Sequence, residues 1–271
     1  MKVSIIVAVY KDAGSLALII DALKRQTYKS FEVVIAEDGE NSDMRDFVTS
    51  IKGLDVKHTT QEDIGIRKAR SQNNGIIASS GEYLIFIDGD CVPYTTFIEA
   101  HVALAEKGSV LSGRRVNLSE ALTKKIKKSH LDVVDIEKRL YKYIGLAFEK
   151  NSKYEYGVYF SPNGWLYPLL AKLRKRNTSL LGCNFSCFRD DMILINGFDE
   201  GYGETSLSDD TDLDWRFRAC GLTVKSCKNI ANMFHLWHTY NERDIGSFYW
   251  NKMVENKVEK RFIAEKGLLS H

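Results

Sequence analysis

Several features that would quickly classify a protein are scarce or missing from this sequence. Its 38 lysines and arginines are nearly cancelled by 36 aspartates and glutamates, leaving a formal net charge of +2 over 271 residues. Nucleic-acid binding wants a strongly basic face, and this balance gives it no support. No apolar run approaches the roughly 20 residues that a membrane-spanning helix needs, and no basic leader with an apolar core opens the chain. The five cysteines are an odd number without a secretory signal. They fit a reducing compartment, so the expected location is cytoplasmic. Cys183 and Cys187 fall on one face of a strand but have no second ligand pair, which argues against structural zinc. Neither G-x-G-x-x-G nor G-x-x-x-x-G-K-[ST] occurs, so neither a dinucleotide fingerprint nor a P-loop is present.

What is present is ordinary in bulk and specific in places. Hydrophobic residues make up 44% and charged residues 27%, as in a soluble globular protein with a sizeable core, built as one large or two closely joined domains. The stretch that organises the rest is Tyr83 to Asp90. Leu84 to Ile87 read as a strand buried on both faces, running directly into Asp88-Gly89-Asp90. Carboxylates at the end of an interior strand sit at the crevice where open α/β sheets bind ligands, and they are rarely buried unless paired or bound to a cation. Gly89 lets the backbone turn so that both side chains converge. A hard cation carrying phosphate oxygens, Mg²⁺ or Mn²⁺, suits that point. Asp-Gly is also a common hairpin turn. An EF-hand fails, because Val92 and Pro93 occupy its fifth and sixth positions.

The segments before that stretch alternate. Val3 to Val9 form a strand closed by Tyr10, and Leu16, Ile19, Ile20 and Leu23 recur at helical spacing after the start signal at Asp12 to Ser15. Phe31 to Ala36 form a second strand ending at Glu37-Asp38-Gly39, and Met44, Phe47, Val48 and Ile51 mark a second helix. A weaker strand near Val56 to Thr59 leads into a donor-rich helix, Gly65 to Asn74. This alternation predicts an α/β fold with a mostly parallel sheet flanked by helices, its strand ends lining one crevice.

These pieces resemble the inverting glycosyltransferases of family 2, which have the Rossmann-like A-type fold. The matching residues are Val3 to Tyr10, Asp38-Gly39, Gly65-Ile-Arg67, Ala69-Arg70, Asn73 and Asp88-Gly89-Asp90. The resemblance implies that Ala8, Tyr10, Asp38, Gly65, Arg67, Asn73, Asp88 and Gly89 bind a nucleotide sugar. It also implies that Asp88 and Asp90 hold a divalent metal, Mn²⁺ or Mg²⁺, on its diphosphate. Chemically, Asp38 can accept from a uracil N–H or a ribose hydroxyl, and Arg67 can neutralise phosphate.

After a helix around Phe97 to Glu106 and a strand near Val110 to Val116, the pattern changes. Residues 117–179 read as a mostly helical insert with basic clusters at Lys124 to Lys128 and Lys172 to Arg176. The pattern resumes at Leu180 to Phe188, with Asn184 and Ser186 at alternating positions, then a short helix, Asp190 to Ile195, stopped by Asn196-Gly197. Gly197-Phe-Asp-Glu200 and a glycine-containing loop lead to Asp209-Asp210-Thr-Asp212-Leu-Asp214. A helix starts there, with Leu213, Phe217 and Cys220 on one face and Gly221 beyond its end. Carboxylates at a helix N-terminus are stabilised by its dipole, and capping alone would account for one or two of them.

This second half, with Phe234-His235-Leu-Trp237-His238, resembles bacterial capsule-type transferases and the matching region of galactosyl- and N-acetylgalactosaminyltransferases. That likeness implies Asp210, with neighbouring Asp209, as the catalytic base, and a histidine completing the metal site. Strand alternation would point His235 and His238 to opposite faces, so a single ligand, His238, is expected unless the chain turns there. Asn184, Tyr202 and Trp237 are the expected acceptor contacts, although the loop departs from the family's Trp-Gly pattern.

The resulting expectation is a nucleotide-sugar half (1–116), the insert (117–179), an acceptor and catalytic half (180–245) and a helical tail (246–271), forming one compact unit. Its activity would be metal-dependent inverting transfer from UDP-galactose, UDP-N-acetylgalactosamine or UDP-N-acetylglucosamine to a glycan or lipid-linked oligosaccharide acceptor, in surface polysaccharide synthesis. Aromatics in the insert and tail, from Trp165 to Trp250, together with the basic clusters could hold the protein at the inner face of a membrane. A sugar-nucleotide nucleotidyltransferase would want a glycine-rich basic loop after the first strand, which Asp12 to Ser15 do not supply. A non-catalytic carbohydrate-binding protein accounts for the aromatics but not for acidic groups at three separate places.

Overall fold

The computed structural model describes residues 1–165, 178–203, 205, 210–239 and 247–270. The insert's stretch just after Trp165, the cluster Lys172 to Arg176, and Asp209 lie outside these residues.

The first half alternates as its periodicity predicts. It comprises β1 (Val3–Val9), α1 (Ala13–Lys24), β2 (Phe31–Glu37), α2 (Ser42–Ser50), β3 (Val56–Thr59), α3 (Lys68–Ala78) and β4 (Tyr83–Asp88). All seven residues of β1 are buried, as befits a central strand covered on both faces. The Asp12 carboxylate caps α1 by accepting from the Ser15 amide at 2.9 Å, a bond worth about 1 kcal/mol. The Asn41 side chain caps α2 in the same way. Helix α3 starts at Lys68, three residues later than the composition suggests. Gly65 (φ +62°) and Arg67 form its approach, and the Arg67 amide donates to Asp38.

Then follow β5 (Cys91–Pro93), α4 (Phe97–Leu104), β6 (Ser109–Ser112), β7 (Val116–Asn117), α5 (Glu120–Lys127) and α6 (Val133–Lys138). Two 3₁₀ segments come next, Leu140–Phe148 and Tyr154–Gly157. The single strand expected at 110–116 is split between two sheets, because the chain leaves the first sheet at Gly113, whose amide donates to the Asn184 carbonyl. The second half supplies β8 (Asn184–Phe188), α7 (Arg189–Leu194), α8 (Thr211–Ala219), β9 (Thr223–Ser226), β10 (Met233–His235) and α9 (Ser247–Val258). Asn196 and Gly197, at φ +59° and +71°, end α7 where the sequence places its stop.

Seven strands form one sheet in the order β3-β2-β1-β4-β8-β6-β9. β8 is antiparallel to both β4 and β6, while the other neighbours are parallel. Strands from both halves interleave, and β8 inserts beside the strand that carries Asp88. Alternate residues feed two core layers. Ile5 and Val7 pack with Leu16 and Ile19 of α1; Ile6, Val34 and Phe86 pack with α3, α7 and α8. Phe86 stacks on Phe185 across the β4–β8 pair with centroids 4.5 Å apart, a contact worth about 0.5–1.5 kcal/mol beyond its burial. A smaller sheet, β5-β10-β7, lies past the carboxyl end of β4. It carries the segment after Asp90 and the segment containing His235.

Candidate active site

The strand register brings the site together. β1 pairs in parallel with β2 and β4, with Val9 opposite Glu37 and Ala8 opposite Asp88. The ends of three strands therefore open on one edge of the sheet. Asp88-Gly89-Asp90 turns there, and Gly89 serves by its size. A Cβ on it would stand 2.9 Å from the Ala8 carbonyl oxygen and 3.1 Å from the Val9 side chain. The chain turns there, as the sequence suggested, and the glycine also supplies close approach to β1.

The two carboxylates part company. Asp90 faces the short strand β10, and Nε2 of both His235 and His238 lies 3.3 Å from the same oxygen, Oδ2. The two imidazole rings meet edge to face with centroids 5.2 Å apart. Both histidines thus face Asp90, where strand alternation had set them on opposite faces. β10 ends at His235, and the Leu236 amide turns back to donate to the Asp90 carbonyl, so strand alternation no longer governs His238. Burial pushes the Asp90 carboxyl up, but the hydrogen bond and charge of His235, with smaller help from Cys91 and His238, hold it well below the usual range. The Cys91 sulfur lies 3.3 Å from Asp90 Oδ1. Asp90, Cys91 and His235 offer ligand atoms within 4.8 Å of one another. Burial pushes the Cys91 thiol well up, which leaves it a neutral donor. One carboxylate oxygen and two imidazole nitrogens form a donor set that suits Mn²⁺ or a similar divalent cation.

Asp88 Oδ1 is shielded from water and takes no hydrogen bond, yet it lies 2.7 Å from the Lys68 ammonium. The contact is an ion pair out of line with hydrogen-bond geometry. A shielded carboxylate oxygen without a hydrogen-bond donor, beside the Asp90 group, is a further mark of a cation site. Arg115 faces the same region. Its charge is opposed by burial and favoured by nearby Cys183, Cys91, Asp88 and Asp90, with the balance raising its pKa further.

At the β2 end, Asp38 is buried and both of its oxygens are engaged. Gln61 Nε2 donates to one at 2.7 Å and the Arg67 amide to the other at 2.6 Å. The Arg67 guanidinium itself donates to the Glu62 carbonyl, and its Nε has no partner. Tyr10 is half exposed and its hydroxyl donates to Asp63, which also pairs with Lys11. A cavity of about 680 Å³ runs along the outer side of α3 past Gln61, Arg67, Arg70 and Asn74, and Asp88 and Asp90 are not among its lining residues.

Three expected contacts belong to the interior instead. Asn73 is fully buried and holds α3 to the 198–200 turn, donating to the Phe198 carbonyl and Glu200 and accepting from the Phe198 amide. Asn184 is fully buried, donating to the Arg114 and Ala231 carbonyls and facing His101. Tyr202 is also buried, and its hydroxyl donates to Asp212 at 2.9 Å, so it offers no stacking face. Trp237, by contrast, is 42% exposed beside His238.

The aspartates of α8 have separate duties. Asp212 is buried against Arg216, and Asp214 pairs with Arg218 near the surface. Asp210 occupies the N-cap position of α8 but makes no side-chain capping bond; the Thr211 hydroxyl donates to it at 3.1 Å. Capping therefore does not account for this carboxylate. Among the described residues no hydrogen bond or ion pair joins it to the Asp90 group. Lys68 and Arg115 were not singled out from the sequence; the signal available was only their place in the basic runs Arg67-Lys-Ala-Arg70 and Arg114-Arg115.

The profile of glycosyl transferase family 2 matches residues 4–160, more than half of the chain. The chain belongs to glycosyl transferase family 2. A second profile, described as the N-terminal domain of galactosyltransferase, matches residues 170–239 of this family 2 chain. Glycosyltransferase AglE of Haloferax volcanii is 34% identical over 122 residues, 43% of the chain and 37% of that protein. The chain thus spans little more than a third of that relative. Among solved structures, GalNAc-T7 with UDP, GalNAc and Mn²⁺ superimposes with a TM-score of 0.63 at 13% identity, over 94% of this chain and 48% of that one. The mannosyltransferase PcManGT from Pyrobaculum calidifontis, with GDP-Man and Mn²⁺, gives 0.57 at 15% identity, over 96% and 62%. At these identities the likeness shows the fold, that of A-type glycosyltransferases.

Proposed function

We propose that this family 2 chain is a metal-dependent inverting glycosyltransferase that moves a sugar from a UDP-sugar to a glycan acceptor. The observation that carries the reading is the convergence of His235 and His238 on Asp90 at the edge where β1, β2 and β4 end. Asp90, His235 and His238 would hold the divalent cation, with Asp88 beside them. When bound, that cation offsets the negative charge developing on the departing diphosphate. Ala8, Asp38, Arg67 and Gly89 would line the nucleotide-sugar site. Asp210, free of capping duty, takes the proton from an acceptor hydroxyl as that oxygen attacks the anomeric carbon opposite the leaving diphosphate. A single displacement of this kind inverts the anomeric centre. Trp237 offers an exposed ring on which an acceptor sugar can stack.

UDP is favoured over GDP because the second half matches the galactosyltransferase profile and GalNAc-T7 was solved with UDP. UDP-galactose, UDP-N-acetylgalactosamine and UDP-N-acetylglucosamine head the donor list, and the acceptor class is a surface glycan or its lipid-linked precursor. No described helix is long and apolar enough to cross a membrane. Exposed Trp165, Phe248 and Trp250 support peripheral contact with a membrane bearing that acceptor. The test is a panel of UDP- and GDP-sugars with Mn²⁺ or Mg²⁺, scored by nucleotide release with and without candidate acceptors. Absence of both turnover and metal-dependent nucleotide binding across the panel would overturn the reading.

A further inference from the structure

The 3₁₀ segment Leu140–Phe148 is apolar on more sides than the protein covers. Its sequence, Leu-Tyr-Lys-Tyr-Ile-Gly-Leu-Ala-Phe, holds a single charged residue, Lys142. In a 3₁₀ helix, side chains three apart stack in one row. Leu140 and Leu146 are buried and Tyr143 packs half-buried against the same core, so one row faces inward. The pattern of burial holds across the break in the helix at Tyr143. Outside that row, Tyr141 is 69% exposed, Ile144 57% and Phe148 87%. A helix that is apolar all round is ordinarily covered all round, and this one is covered on one side. Its polar surroundings carry one sign. Arg139, Lys142, Lys150 and Lys153 are exposed on or beside the segment, and Glu149 is the one acidic residue from 139 to 153. Among the described residues none of these four cations makes an ion pair.

We propose that this segment docks the protein on an anionic lipid bilayer, with Tyr141, Ile144 and Phe148 in the headgroup boundary. The charges around it decide the occupant. Exposed rings and an aliphatic side chain enter the boundary between headgroups and acyl chains, while lysines and arginine around them meet the lipid charges. Such contact stays in the plane of the interface, in keeping with the absence of any described helix long and apolar enough to cross a membrane. A second copy of the chain fits the patch less well. A two-fold contact over Phe148 would set the cationic surround of one copy against the same surround of the other, and like charges repel. The docking surface is made of residues other than Trp165, Phe248 and Trp250, and it does not depend on the glycosyltransferase reading.

The test is co-sedimentation of the full chain with phosphatidylcholine vesicles, with and without phosphatidylglycerol, at low and high salt. Wild type should pellet with the anionic vesicles, stay in solution with the neutral ones, and be released as salt rises. Ile144→Ser with Phe148→Ser, and separately Lys142→Gln with Lys150→Gln, should each lower the partition onto anionic vesicles about 10-fold. All four positions are exposed, so the melting transitions should match wild type. Tyr141→Ser serves as a second apolar variant should the serine pair disturb folding. Absence of sedimentation with anionic vesicles at low salt would overturn the proposal, as would wild-type partition in both double variants. A wild-type dimer that the serine pair converts to a monomer, read by light scattering without lipid, would assign the patch to a second copy instead. The measurement uses neither nucleotide nor metal, so these outcomes leave the glycosyltransferase reading in place.

Discussion

Arg216 Nε lies 2.5 Å from Asp212 Oδ2, one turn away on the same helix, and neither side chain is more than 2% exposed. This pair ties α8 to the turn after α7 and to Tyr202. Asp212 also accepts from the Tyr202 hydroxyl and the Trp215 indole, and Arg216 donates to the Ile195 and Gly197 carbonyls. Asp212→Asn should leave the Arg216 charge buried without its counter-ion and cost about 3–5 kcal/mol. Urea denaturation checks this as a lower midpoint at unchanged slope. A loss below about 1 kcal/mol would show that the pair does not hold α8 in place.

His235 and His238 approach one oxygen of Asp90 from two sides, and the metal should need both. His235→Ala and His238→Ala should each weaken Mn²⁺ binding more than the roughly 10–100-fold typical of an outer-shell partner. Asp90→Ala should abolish it. Calorimetry at fixed pH reads all three. If either histidine variant bound Mn²⁺ like wild type, that imidazole would be a structural neighbour of Asp90 and no ligand.

Much of this was legible in the sequence because it is local. The apolar runs Val3 to Val9 and Leu84 to Ile87 fix central strands, and parallel pairing then sets Asp38 and Asp88 on one edge. What escaped depends on partners distant in the chain. Asn184 and Ser186 face inward on β8, and their partner His101 lies more than 80 residues away. Sequence shows their polarity but not what satisfies it, so Asn184 read as a ligand contact. Tyr202 was misread for the same reason, since its partner Asp212 looked like part of an exposed acidic cap. The approach of His235 and His238 to the same carboxylate escaped because period-two alternation was carried past the end of a three-residue strand. Lys68 looked like one more surface charge on a basic helix start until α3 was laid beside β4.

His101 makes stability depend on pH in a predictable direction. It is wholly buried between Ser186 and Asn184, and burial pushes its pKa down from 6.5 to about 3. Between these values the unfolded chain takes up a proton that the folded chain refuses. Stability therefore falls with acidification through that window, by about 1.4 kcal/mol per pH unit for this one group. Above pH 6.5 the group is neutral in both states and contributes no slope. His101→Gln removes the titration and should flatten the pH dependence of the unfolding free energy between pH 6 and 4 by up to about one proton. An identical slope in the two proteins would mean that His101 is charged when folded.

The last prediction concerns Asp210. Proton removal from a sugar hydroxyl needs a carboxylate that neither the metal nor the fold consumes. Asp212 is consumed by Arg216, Tyr202 and Trp215, and Asp214 by Arg218. Asp210 sits at the mouth of the same helix with its side chain off the capping amides. Asp210→Asn keeps the shape and removes the basicity. Transfer should fall by roughly two to four orders of magnitude, the usual worth of a general base. Affinity for UDP with Mn²⁺ should stay near wild type, because the groups proposed to hold the diphosphate lie on other elements. Asp214→Asn should leave turnover within a few-fold, since it removes a half-exposed ion pair worth at most about 1 kcal/mol. The decisive comparison is kcat against donor affinity across these variants. If Asp210→Asn lost UDP binding along with turnover, the residue would belong to the donor site. If it kept most of its turnover, the base would lie elsewhere, with Asp209 the next residue to replace.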